Sequence, residues 1–344
     1  MTTTRCQGTL DSRTPPDSLT FHHINEPEPG ERWQLLFQEL WPGYRSWYLQ
    51  DGDAARPDLE QAAKALRRFM PELVPTWSRL VELTGDDPTA ARMLTLFDPP
   101  RFLPGCAQLA VPGPEPMLVR NYDYHPDLLE RVVYSSRFAG RRVIGTGDCL
   151  WGLLDGMNDD GLVASLTFAG ERGSGTGFAI PLVLRYLLET AGSVAEGVQV
   201  LRRIPVHMAY NVMLLDPQGR RCTVLVRPGA PAEVFDLPAV TNHRGTTPRD
   251  PAHAARFRSL ERQRALFELL DDTPEPAGAI DAFLRPPLYN TEFGRGFGTL
   301  YTAGYRPTLG TVEYAWPGSR WTLGFDSPAG THAARYRDTA GTRP

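Results

Sequence analysis

Lysine is almost missing from this chain of 344 residues: Lys64 is the only one, and every other cation is an arginine. A Schiff-base lysine or a pyridoxal site would rest on that single residue in a charged helical stretch, which argues against such chemistry. Cysteine is also scarce. Cys6, Cys106, Cys149 and Cys222 form no C-x-x-C pair and no Cys/His spacing of a zinc site, so they read as thiols and no metal is expected. There is no apolar run of the about 18 residues that a membrane helix needs. The opening MTTTRCQGTLDSRTPP has no apolar stretch of the kind an export signal carries, so a cytoplasmic location with reduced thiols is expected. Excess positive charge is absent as well. The formal net charge is −4 with both signs interspersed, which offers no field for a nucleic-acid backbone. No glycine-rich phosphate loop precedes a helix, and there are no internal repeats.

What is present is an ordinary globular composition, 41% hydrophobic and 22% charged, in a chain long enough for a large core. Residues 1 to about 30 carry Pro15, Pro16, Pro27 and Pro29 and read as irregular, with His22 and His23 solvated. From Glu31 to about Leu96 the apolar spacing is helical, as in ERWQLLFQELW and LEQAAKALRRFM. Past the prolines and glycine at 99–105, strands take over: Ala107–Val111, Met117–Tyr124, Arg131–Phe138 and Arg142–Ile144, then a turn over Asp155–Asp160 before LVASLTF. Two helices follow, Ile180–Ala191 and one opened by the Ser193/Glu196 capping box. Strands resume at Ala209–Leu215, Cys222–Val226 and Val240–Asn242. A helix over His253–Leu270 and a strand pair, Leu300–Tyr305 with Thr311–Trp316, close the pattern. Strands, helices, strands, then helix and strands imply a layered α+β sandwich rather than a βαβ repeat.

Chemistry concentrates after the change of character. Cys106 follows Gly105 at the start of the first strand of the new region. A thiol attacking its own preceding carbonyl needs an unusual backbone, which glycine reaches without a Cβ clash. The cut would free an α-amine with a pKa of about 7.7–8.0, placing nucleophile and base on one residue. Arg120-Asn121-Tyr122-Asp123 ends a strand able to pair with that of Cys106; Asp123 could orient the amine and Arg120 favour the thiolate. Asn242, in Thr241-Asn242-His243, offers an amide donor for an oxyanion hole. Each piece alone also has a plain structural reading: a buried thiol, a surface ion pair, a turn-forming asparagine.

Taken in order, Gly105-Cys106, RNYD at 120–123, GMNDDGL at 156–162, AYNVMLLD at 209–216, TNH at 241–243, Ser259-x-x-Arg262 and the ending LYTAGYRPTLGTVEYAWPG resemble one family. It is the acyl-coenzyme A:6-aminopenicillanate acyltransferases, with the bile-salt hydrolases and penicillin V acylases as more distant kin, all N-terminal-nucleophile enzymes. The resemblance implies a four-layer αββα sandwich preceded by a helical pro-segment, with self-cleavage into 1–105 and 106–344. It implies Cys106 as nucleophile, Asp123 orienting its amine, Arg120 beside the thiol and Asn242 as side-chain donor of the oxyanion hole. The backbone donor falls near Phe168, and Arg262 supports the site, as do Tyr122 and Asn158 within their motifs. No cofactor is implied. The expected partner is a small amide or acyl substrate, acyl-coenzyme A among them, with no nucleic acid and no membrane; the two fragments stay associated, and a homo-oligomer is compatible. Two alternatives stand: a Cys-His-Asp hydrolase using His243 without self-cleavage, and an uncut, catalytically silent binding protein of the same fold.

Overall fold

The computed structural model describes residues 17–102, 105–243, 248–272 and 274–337. The first stretch holds β1 (Ser18–Asn25) and helices α1 (Glu31–Tyr48), α2 (Leu59–Phe69), α3 (Val74–Leu83) and α4 (Pro88–Leu94). Six strands follow: β2 (Gly105–Val111), β3 (Met117–Tyr124), β4 (Val132–Ser136), β5 (Val143–Asp148), β6 (Gly152–Asn158) and β7 (Val163–Phe168). Helices α5 (Ile180–Thr190) and α6 (Val194–Arg203) lead to β8 (Tyr210–Leu215), β9 (Arg221–Arg227), β10 (Ala230–Phe235) and β11 (Ala239–Val240). The last part runs α7 (Pro251–Arg256), α8 (Ser259–Asp271), α9 (Pro276–Phe283), β12 (Thr291–Glu292), β13 (Phe297–Arg306), β14 (Thr311–Trp316), β15 (Ser319–Gly324) and β16 (Gly330–Arg335).

The strands form two sheets. Nine strands lie in the order β10-β9-β8-β7-β6-β5-β4-β1-β16, and the other sheet runs β11-β2-β3-β13-β14-β15, with β12 paired to β13. Helices α5 and α6 pack on the outer face of the first sheet, α8 and α9 on that of the second, and β2 faces β7 and β8 across the interior. The expected helix–sheet–sheet–helix sandwich is therefore what the chain forms. With both faces covered, a strand buries both of its side-chain rows. Along β2, Cys106 and Ala110 join the core between the sheets, while Ala107, Leu109 and Val111 join the core under α9.

Several local readings give way. Ser18–Asn25 is not irregular: it pairs antiparallel with β16 and parallel with β4, and His23 is buried, bonded to Ser135 Oγ (2.8 Å) and to the Pro328 carbonyl (2.9 Å). Pro27 and Pro29 follow the end of this strand, and the part of the expectation covering residues 1–16 lies outside the described residues. The supposed turn over 155–160 is mostly β6. Asp155 and Gly156 look like turn residues, but Gly156 is there because a Cβ would come within 2.9 Å of Leu188 Cδ1 and 3.0 Å of the Ile144 carbonyl oxygen. The long helix at 253–270 is broken between α7 and α8 at Arg258, which takes a left-handed φ of 46°. The strand expected over 240–242 ends at Val240.

The N-terminal part is not a separate body. Its side chains share one core with the sheets, Trp33 Nε1 donates to the Leu150 carbonyl, and Trp151 Nε1 donates back to the Leu94 carbonyl, both at 2.9 Å.

Candidate active site

Cys106 is fully buried at the start of β2, opposite Tyr122 of β3. Gly105 precedes it in extended strand rather than in a left-handed conformation, so the expected reason for that glycine is corrected. It is steric: a Cβ there would stand 2.8 Å from Phe257 Cδ1 and 3.3 Å from Asp123 Cβ. Every polar atom of Cys106 meets a named partner. Its amide N–H donates to Asn242 Oδ1 (2.9 Å), its carbonyl accepts from Arg262 Nη1 (2.8 Å), and Arg120 Nη2 reaches its Sγ at 3.2 Å.

Arg262 is the hub of this arrangement. It sits one turn after Ser259, so both side chains project from the start of α8. Its fork, entirely buried, donates from Nε to the Phe257 carbonyl, from Nη1 to Asp123 Oδ2 (2.9 Å) as well as to Cys106, and from Nη2 to Asn242 Oδ1 (2.8 Å). Two donors converging on Asn242 Oδ1 fix the amide orientation, leaving Nδ2 to donate to the Phe168 carbonyl at 3.2 Å. Ser259 Oγ accepts from the Asn242 N–H (2.9 Å) and bonds to Thr241 Oγ1 and His243 Nδ1, which ties the TNH run to α8. Arg256 and Arg258 are directed elsewhere, to the Arg295 carbonyl and to Asn290.

Asp123 is also buried. Burial pushes its carboxyl up, and Arg262, then hydrogen bonds from Thr299 and Asn290, pull it down. Thr299 Oγ1 donates to Asp123 Oδ1 at 2.7 Å. Burial likewise pushes the Cys106 thiol up, to about 11, against the pull of Arg120, Arg262 and a backbone hydrogen bond from Phe168. That last bond follows from the ladder. The Ala169 N–H donates to the Ala209 carbonyl, so by antiparallel alternation the N–H and C=O of Phe168 both face away from β8, toward Asn242 and the thiol. An amide carries two N–H groups and Asn242 spends one on Phe168, so the other, with the Phe168 N–H, can serve an oxyanion.

Of the residues singled out in the sequence, Cys106, Arg120, Asp123, Asn242, Arg262 and the Phe168 backbone thus meet at one place. Tyr122 adds its ring under Arg120, 5.1 Å from the guanidinium, and stacks on Tyr301. Asn158 is not brought in: its side chain bonds to the Leu188 and Ala191 carbonyls and the Leu162 N–H, holding the end of α5 to the β6–β7 turn. His243 bonds through Nδ1 to Ser259 Oγ and through Nε2 to Gln263 Oε1 (2.9 Å), so both ring nitrogens are engaged with groups other than the thiol. Sequence reasoning missed Thr299 and Asp155, the latter within 2.8 Å of Arg120 Nη1. Nothing in the sequence marks Thr299; Asp155 was hidden by its turn-like neighbours. Among the described residues no group of His, Cys, Asp and Glu could hold a metal ion, and no helix is long and apolar enough to cross a membrane.

Comparison with solved structures finds partial likeness. A mutant of the conjugated bile acid hydrolase from Clostridium perfringens is 14% identical, covering 70% of this chain and 99% of that one at a TM-score of 0.47. Penicillin V acylase from Agrobacterium tumefaciens is also 14% identical (63% and 84% covered, TM-score 0.42). A Caenorhabditis elegans ortholog of N-acylethanolamine-hydrolyzing acid amidase is 13% identical (60% and 93% covered, TM-score 0.43). No curated protein sequence matches the chain. The family model of acyl-coenzyme A:6-aminopenicillanic acid acyl-transferase matches residues 111–321, a span that opens just after Cys106 and contains Arg120, Asp123, Phe168, Asn242 and Arg262. That match takes in well over half of the chain, and the protein belongs to the acyl-coenzyme A:6-aminopenicillanic acid acyl-transferase family.

Proposed function

We propose that this protein is a self-processing amide hydrolase or acyltransferase whose nucleophile is Cys106. The observation that carries the reading is that one residue has its thiol on Arg120, its carbonyl on Arg262 and its amide nitrogen on Asn242, with Asp123 beside it. In the first reaction the Cys106 sulfur adds to the Gly105 carbonyl carbon. The C–N bond breaks, the thiol proton goes to the departing nitrogen, and a thioester to residues 1–105 remains for water to hydrolyse. The freed α-amine then lies against Asn242 Oδ1, with the carboxylate of Asp123 to hold it.

The second reaction uses the same parts on an external acyl compound. The amine accepts the thiol proton, and the Phe168 N–H with Asn242 Nδ2 takes the developing oxyanion. The adduct expels the substrate's amine or thiol, which takes the proton back from the α-ammonium, and the acyl-enzyme left behind is discharged by water or an acceptor amine. Hydrolysis of a linear amide is the preferred outcome, with acyl transfer its alternative. The chemistry needs no cofactor, and its partner is a small amide or acyl substrate, acyl-coenzyme A thioesters included.

Denaturing electrophoresis with intact mass on the wild type and on Cys106→Ala tests this. Fragments splitting before Cys106 in the wild type alone are expected. A single chain of 38.2 kDa from both would sink the reading and leave an uncut binding protein of this fold or a Cys-His-Asp hydrolase using His243.

A further inference from the structure

Arg120 meets the thiol with one nitrogen and is held from behind by the other. Nη1 donates to Asp155 Oδ2 and to the Leu154 carbonyl, both at 2.8 Å, and the guanidinium lies over the rings of Tyr122 and Tyr301 at 5.1 and 5.8 Å. Asp155 stands in the middle of β6, fully buried, on the face turned toward the second sheet. Its oxygens are saturated. Oδ1 accepts from Thr146 Oγ1 (2.8 Å) and the Tyr305 hydroxyl; Oδ2 accepts from Arg120 and the Tyr301 hydroxyl (2.6 Å). A carboxylate offers about four lone-pair sites, so four donors fill it.

A buried guanidinium requires a buried counter-charge. The thiol does not supply one, because burial keeps it protonated over most of the pH range. Asp123 is engaged with Arg262. The site therefore holds two ion pairs with separate tasks. Asp123–Arg262 grips the backbone of Cys106, while Arg120 reaches its sulfur from the neighbouring strand β3 and Asp155 anchors Arg120 from the opposite sheet.

We infer that Asp155 is a positioning residue for the reaction of Cys106: it holds the Arg120 fork so that Nη2 stays on the sulfur as the thiolate forms. Asp155 itself touches no reacting atom. The inference rests on Cys106 being the nucleophile, and its test separates the two claims.

The near-isosteric Asp155→Asn, Arg120→Gln and their combination are compared in the full chain, with Tyr305→Phe as a milder change that leaves the carboxylate in place. Loss of the anchor moves Arg120 off the sulfur, and a misplacement near 1 Å costs about 10²-fold in rate. Asp155→Asn should slow self-cleavage by that factor and lower kcat of the cut enzyme with KM unchanged. In the Arg120→Gln background it should add nothing. The ¹³Cβ resonance of Cys106, identified by its loss in Cys106→Ser, should move less between pH 7 and pH 10 in Asp155→Asn than in the wild type, because less thiolate forms. Tyr305→Phe should follow in the same direction to a smaller extent.

An equal or larger resonance movement would mean that Arg120 stays in place without Asp155, and would overturn the inference; so would additive losses in the combined variant. If Asp155→Asn fails to fold, the same cycle is run with Tyr305→Phe against Arg120→Gln. A wild type that never cuts defeats the nucleophile reading, while the resonance comparison still decides whether Asp155 governs the Arg120 contact.

Discussion

The pH dependence of self-cleavage is the sharpest expectation. Burial lifts the Cys106 thiol from 9.0 to about 11 in the uncut chain, and Arg120 and Arg262 offset only part of the lift. Two pH units correspond to about 3 kcal/mol disfavouring the thiolate, leaving roughly 10⁻⁴ of the thiol ionised at pH 7 against roughly 10⁻² for an unshifted one. If thiolate is the attacking species, the initial rate of fragment appearance should climb close to tenfold per pH unit from about pH 6 to pH 10 and bend near 11. The assay is a quenched time course on freshly refolded protein, with Cys106→Ala as the uncut control. Stability runs the other way. Between pH 9 and 11 the folded chain keeps a proton that the unfolded chain gives up, so up to about 3 kcal/mol is lost over that window, and Cys106→Ala abolishes the loss. A cleavage rate flat from pH 7 to pH 10 would refute the reasoning, since it would mean that the proton leaves within the site without a free thiolate forming.

Other changes read other parts of the site. Asn242→Ala removes one oxyanion donor and should cut acyl transfer by about 10²–10³-fold, measured as kcat on an amide substrate with protein that has already been cut. Gly105→Ala forces a Cβ to within 2.8 Å of Phe257, which should cost about 1–3 kcal/mol in thermal unfolding and slow self-cleavage; the double change with Phe257→Ala should recover stability. His243→Ala should lower the melting temperature through the lost Ser259 and Gln263 bonds while leaving self-cleavage within a few-fold of wild type; its abolition would revive a Cys-His-Asp mechanism. The cut protein should elute as one particle in size-exclusion chromatography and separate into fragments only in denaturant, because Trp33, Tyr44 and β1 of the first fragment are embedded in the second.

The layered class was legible because strand and helix periods alternate in blocks, and most of the site because its residues sit at motif positions around strand ends. What escaped was set by partners distant in sequence. β6 carries Asp155 and Gly156, which propensity assigns to a turn, and only the proximity of Arg120 and of Leu188 shows why a strand needs them. The Phe168 backbone donor was reached only through the family resemblance: it has no side-chain signature of its own, since it depends on which way a ladder alternates. The glycine before Cys106 was found for the wrong reason: its neighbour Phe257, at the break before α8, is 152 positions away and invisible to a local reading. β1 was lost among prolines, and its partners are both remote in sequence.

The position of β1 has a topological consequence. Ser18 lies across from Arg335, so the first and last strands among the described residues are neighbours while the Gly105–Cys106 bond lies in the other sheet. A circular permutation that joins the segment after Arg335 to the segment before Ser18, and opens the gene at Cys106, would keep every strand pairing. Such a chain would begin Met–Cys106, so on the proposed mechanism its free amine would need only removal of the initiator methionine rather than self-cleavage, separating catalysis from maturation.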